Sequence, residues 1–149
     1  MKFFVPYDGT ELAKAALERA AVLGEGVAAD IVVATIVPKD REYAHERGWI
    51  VDGEEFDADS IKATLREEIT GIAPGADFRC AVVRSHVSAG NIATRLRDIA
   101  MEIEADAVFL GSENVGSIAA PVSSIGSNVA TRVPYDIYLV PSLAHPSTP

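Results

Sequence analysis

Five short apolar runs punctuate this chain: KFFVPY at 2–7, DIVVATIVP at 30–38, FRCAVVR at 78–84, DAVFLGS at 106–112 and YDIYLV at 135–140. Each is too short for a stable helix and is bounded by turn-forming or charged residues, so each reads as a strand. DIVVATIVP is apolar on both of its faces, which marks a strand buried on both sides. Between the runs the apolar period changes to that of a helix. Leu12, Ala16, Leu17, Ala20 and Leu23 form one stripe, Ile61, Leu65, Ile69 and Ile72 a second, and Ile92, Leu96, Ile99, Ala100 and Ile103 a third. A further helix is expected over about 122–132. Strands that alternate with helices pack as a parallel sheet covered on both faces, a three-layer α/β/α arrangement.

Local signals sharpen the boundaries. Thr10 is placed to cap the first helix, Glu11 sits in its favourable first turn, and Gly24 and Gly26 are expected to end it. Ser88 is the expected cap of the third helix. From Lys39 to Asp59 the period dissolves into a charged stretch that carries the only tryptophan, Trp49. It reads as a long loop or a partly helical flap, with Trp49 and Phe56 as a lid or a packing cover. The domain is expected over 1–141, with the proline-rich residues 142–149 as a frayed tail.

At 149 residues the chain suits one domain able to bury roughly two thirds of its unfolded surface. One cysteine, Cys80, allows no internal disulfide and fits a reducing cytoplasm. The start, MKFFVPYDGT, is too short an apolar stretch for a signal peptide or a membrane span, so a cytoplasmic protein is expected. Thirteen basic against 22 acidic side chains give a net charge of −9, which repels nucleic acid and leaves no basic stripe for phosphates. The acidic surface, with arginine commoner than lysine, suits concentrated salt, and loss of folding at low salt would bear that out. His45, His86 and His145 have no second ligand at helical spacing, so no metal site is expected.

In doubly wound sheets ligands bind beyond the carboxyl ends of the strands, where the strand order reverses. A dinucleotide fold would place three glycines after the first strand, and PYDGTE holds one. A phosphate-accepting receiver would need paired acids there; only Asp8 is present.

What remains resembles a known family. FFVPYDGTELAKAALERA followed by DIVVATIVP, then VSAGNIATRLRDIAMEIEADAVFLGS and a glycine-serine loop, resembles the universal stress proteins over nearly the whole chain. The resemblance implies a five-stranded parallel sheet of order 3-2-1-4-5, a homodimer and, in many relatives, adenine nucleotide binding, with slow ATP hydrolysis at most. It carries adenine contacts onto Asp8 and the backbone at Ile36, and lining of base and ribose onto Leu110 and Gly111. Phosphates would sit on a pattern similar to G-x2-G-x9-G-[ST], with Mg²⁺ carried by the phosphates. Glycines there let the backbone approach phosphate oxygens, and a hydroxyl at the helix start adds a donor.

Two registers of that loop compete. In one, Gly116 and Gly126-Ser127 supply the second half, and Glu113 stands where the leading glycine belongs. In the other, preferred because it leaves a longer final helix, the hydroxyl pair is Ser123-Ser124 and Asn114 stands at the second glycine. Glu113 opposes a phosphate by about 1 kcal/mol, subject to screening, and no lysine or arginine lies between Gly111 and Asn128 to offset it. The other readings of these residues are structural: Asp8 tying down the DGT turn, the serines capping a helix, Gly126 packing within one. A dimeric interaction module without nucleotide is therefore the alternative function, its protein partner unspecified. The dimer is expected through the last strand, with Tyr135, Ile137 and Leu139 alternating against Asp136, Tyr138 and Val140, and Tyr138 and its neighbours at the contact.

Overall fold

The computed structural model describes residues 1–84, 89–111 and 134–141. Strands β1 (Lys2–Pro6), β2 (Asp30–Pro38), β3 (Asp77–Val83), β4 (Ala107–Gly111) and β5 (Asp136–Val140) form one parallel sheet of order β3-β2-β1-β4-β5. Helices α1 (Glu11–Val27), α2 (Arg41–Glu46), α3 (Ala58–Ile72) and α4 (Ala89–Glu102) complete the described elements. The expected cap Ser88, the expected helix over 122–132 and the tail lie outside the described residues.

Side-chain alternation divides the core in two. Phe3, Val5 and Tyr7 of the first strand and its turn meet Val33, Val37, Phe109 and Val140 under α1, α2 and α3. Phe4, Val32, Ala34, Val108 and Leu110 face the other way, against Ala93, Ala100 and Ile103 of α4 and its end. The sheet is thus covered on both faces, as its apolar central strands require.

Helix α1 corrects its sequence reading. Thr10 caps it, accepting a hydrogen bond from Ala13 N at 3.2 Å, but the helix runs through Gly24 and Gly26 to Val27 and closes on Ala28 in the left-handed conformation. Gly24 is buried, and a Cβ there would stand 3.1 Å from Ile31 Cδ1 and 3.5 Å from Phe3 Cδ2. Close packing against β2 and β1 outweighs the roughly 1 kcal/mol that glycine costs inside a helix. The buried stripe is Ala13, Ala16, Leu17, Ala20 and Gly24, while Leu23 is exposed. Small side chains bring α1 close to the sheet. In α3 the expected Ile61, Leu65 and Ile69 are buried.

The 39–59 stretch is a partly helical flap. Asp40 caps α2 by accepting from Glu42 N and Tyr43 N, and Gly48 at φ +75° turns the chain back toward the sheet. Ala44 and Ile50 are buried, and Trp49 and Phe56 pack against the core under α1 and α3.

The last strand differs in detail from its expected alternation. Tyr135 and Val140 are both buried on opposite faces, whereas Tyr138 and Leu139 are the exposed pair. Tyr138 stacks on Phe109 at 4.9 Å between ring centroids and accepts a hydrogen bond from Arg19 Nη1 at 3.1 Å.

Candidate functional site

The order reverses between β1 and β4, and the backbone explains why the two strands part there. They pair at Phe3–Ala107 and Phe4–Val108. Tyr7 N donates to Ala34 O on the β2 side, so alternation turns the backbone of Pro6 toward β4. Proline has no N–H to continue that ladder. The ladder between the two strands therefore stops at Phe4–Val108, and this reversal of strand order is the crevice position at which ligands bind in sheets of this kind.

Asp8 stands at its rim. Its Oδ1 accepts from Thr10 N at 3.0 Å and from Thr10 Oγ1 at 2.7 Å, and Gly9 at φ +85° supplies the left-handed step that the tight turn needs. The turn role expected for Asp8 is thus filled by one oxygen. The other, Oδ2, faces Arg47 Nε at 3.8 Å, too far for a hydrogen bond.

Ile36 is buried, and alternation from Val32 and Ala34 puts it on the α4 side of β2. Its backbone matters more: Ala34 O faces β1, and two residues on the peptide edge of Ile36 faces the same way, level with Asp8 where β1 has already ended. The Tyr7 carbonyl at that level is taken by the Thr35 hydroxyl at 2.6 Å.

Leu110 is buried against α4, and Gly111 closes β4. Gly111 has a packing reason of its own, because a Cβ there would lie 2.6 Å from Leu12 Cβ and 3.1 Å from Leu12 O. The glycine lets the first turn of α1 lie directly on the end of β4. Asp8, Ile36, Leu110 and Gly111 thus share the carboxyl edge of three neighbouring strands. Asn114, Gly116, Ser123, Ser124, Gly126 and Ser127 lie outside the described residues, as do His86 and His145.

The structure adds contacts that sequence reasoning missed. Trp49 Nε1 donates to Asp8 O at 2.8 Å, and Arg47 lies 3.7 Å over the Tyr43 ring. A lone tryptophan among charged residues was the available signal for this anchor. Beneath the flap, Tyr7 donates to Glu68 Oε1 at 2.7 Å. Burial first, and the Glu68 carboxylate second, push the Tyr7 hydroxyl far above its ordinary range, so it stays a donor. Burial also raises Tyr43, with Arg47 partly opposing it. His45 Nε2 meets Asp52 Oδ1 at 2.6 Å on the flap surface. No group of three or more His, Cys, Asp or Glu among the described residues could hold a metal ion.

The family model described as the universal stress protein family matches residues 1–141. The chain belongs to that family. Among solved structures, a universal stress protein in complex with cAMP is 20% identical over 95% of this chain and 97% of its own, with a TM-score of 0.57. UspA from Lactobacillus plantarum is 14% identical over 94% and 97%, with a TM-score of 0.56. The universal stress protein from Archaeoglobus fulgidus in complex with dAMP is 18% identical over 94% and 97%, with a TM-score of 0.54. These structures share the fold. No curated protein matched in sequence. Among the described residues no helix is long and apolar enough to cross a membrane.

Proposed function

We propose that this universal stress protein binds an adenine nucleotide across the carboxyl ends of β2, β1 and β4 and acts in the cytoplasm as a ligand-dependent stress-response protein. The observation that carries the reading is the end of the β1–β4 ladder before Pro6, with the Ile36 peptide edge and Asp8 Oδ2 at the same level. An adenine edge offers both a donor and an acceptor, which a peptide edge and a carboxylate oxygen can meet. Leu110 and Gly111 would line base and ribose. The loop with Asn114, Gly116, Ser123-Ser124 or Gly126-Ser127 would take the phosphates, and any Mg²⁺ would ride on them. That the similar structures include complexes with cAMP and dAMP supports this class of ligand. Function rests on binding, with hydrolysis slow at most.

Titration of the purified chain with ATP and with AMP, each with Mg²⁺ at high salt, tests the reading. Saturable binding is expected, and Asp8→Asn, which keeps Oδ1 for the turn while removing the charge, should weaken it. Absence of binding at millimolar nucleotide would reject it.

Glu113 favours a second reading, a dimeric interaction module that works without nucleotide through an unspecified protein partner. Glu113→Gly separates the two: under the first reading it tightens ATP by about 1 kcal/mol, roughly fivefold. Under the second it creates no measurable affinity. Both readings use a homodimer through β5, at Tyr135, Ile137, Tyr138 and Leu139.

A further inference from the structure

Under the flap, on the face covered by α1 and α3, a pocket of about 210 Å³ opens beside the Asp8 turn at Gly9. It is smaller than the roughly 300–1,000 Å³ of pockets for drug-sized ligands, so its occupant is a compact molecule and not a nucleotide. Its walls carry both signs of charge. Arg47 lines it, and the Arg47 Nε is buried without a hydrogen-bond partner among the described residues. Lys14 lines it as well; its ammonium is met by the exposed Glu11 carboxylate at 3.5 Å. Asp8 Oδ2 faces the Arg47 Nε at 3.8 Å, too far for a hydrogen bond, so this buried donor is left for an anionic group that can come closer.

Glu68 supplies the opposite sign. Its Oε1 accepts from Tyr7, and the second carboxylate oxygen accepts no hydrogen bond among the described residues, so it can face a cation. Trp49 is also part of the wall, and an indole face attracts an ammonium. Ile61 and Leu65, beside Thr64, supply an apolar part of the wall suited to a short aliphatic chain.

We infer that this pocket binds a small zwitterion of the α-amino-acid class, its carboxylate held by Arg47 and Lys14 and its ammonium by Glu68 against Trp49. The inference does not rest on nucleotide binding in the crevice. It gives the flap a ligand of its own, and the Trp49 bond to the Asp8 carbonyl places that ligand one residue contact from the crevice rim.

Trp49 is the only tryptophan, so its emission reports the pocket directly. The full chain, at high salt and without nucleotide, is titrated with each of the common L-amino acids up to tens of millimolar. At least one should give a saturable change in emission. Its N-acetyl and amide derivatives, each lacking one charge, should bind about tenfold or more weakly. Arg47→Gln and Glu68→Gln should each abolish the response; Glu68→Gln keeps an acceptor for Tyr7, so the fold is retained. No saturable response to any amino acid would overturn the inference, and so would equal responses to the free amino acid and both derivatives. The derivative series uses the unmodified chain and remains decisive if either variant does not fold.

Discussion

The indole Nε1 of Trp49 donates to the main-chain oxygen of Asp8 at 2.8 Å, joining the flap to the turn that closes β1, 41 residues earlier. Trp49→Phe keeps the ring and removes this bond. The part-buried Asp8 carbonyl then loses its partner, at a cost of about 1 kcal/mol, and the flap loses its tie to the crevice. Amide hydrogen exchange should speed up over residues 41–56 and at Gly9 and Thr10. Unchanged exchange in both regions would show that packing alone holds the flap.

Gly111 meets Leu12 so closely that a single methyl has no room, with 2.6 Å between the added Cβ and Leu12 Cβ. Gly111→Ala should push α1 off the end of β4 and cost about 1–3 kcal/mol, as overpacking does. In a chain of this size that corresponds to a fall in Tm of roughly 2–4 °C per kcal/mol. A thermal melt that matches the unaltered protein would mean that the first turn of α1 yields freely.

Tyr7 makes stability fall in alkali. Burial and Glu68 hold its folded-state proton far above the range of an unfolded tyrosine, near pH 10. Below about pH 10 both states keep the proton and the contribution is intact; above it only the unfolded chain releases the proton, so unfolding is favoured as pH rises. Tyr43 and Tyr135, also raised by burial, act in the same direction. Urea unfolding from about pH 8 to pH 11 should show the decline, and Tyr7→Phe should make it shallower while costing about 1 kcal/mol at neutral pH through the lost bond to Glu68. An equally steep decline in Tyr7→Phe would assign it to other groups.

Asp136 N donates to Asp106 O, so Asp136, Tyr138 and Val140 turn their backbone groups to β4. Alternation turns those of Ile137 and Leu139 to the outer edge. Ile137→Pro therefore removes an outward donor without cutting the ladder to β4. If two copies pair through β5, the unaltered chain should sediment at twice 15.8 kDa at high salt and the variant should shift toward monomer. A wild-type monomer at tens of micromolar would reject the pairing.

The two covered faces, the Thr10 cap and the place of Asp8 were legible in the sequence, because apolar periodicity and cap chemistry act between residues close along the chain; the strand order was implied by the family resemblance. The alternation of strand and helix, together with the resemblance carried by VPYDGTE and EADAVFLGS, pointed to the edge at which Asp8, Ile36 and Gly111 are found. What tertiary structure decided was set by contacts between distant segments. Gly24 reads as a helix end, yet Ile31 and Phe3 press on it and the helix continues. Gly111 is a ligand residue by resemblance, and Leu12 gives it a separate packing reason by leaving no room for a side chain. Nothing near Arg47 or Trp49 in sequence announces Asp8 or Glu68, since those neighbours arrive only when the flap folds back over α3. Sequence determined which residues want burial, a turn or a cap; the fold alone determined which of them share the same space.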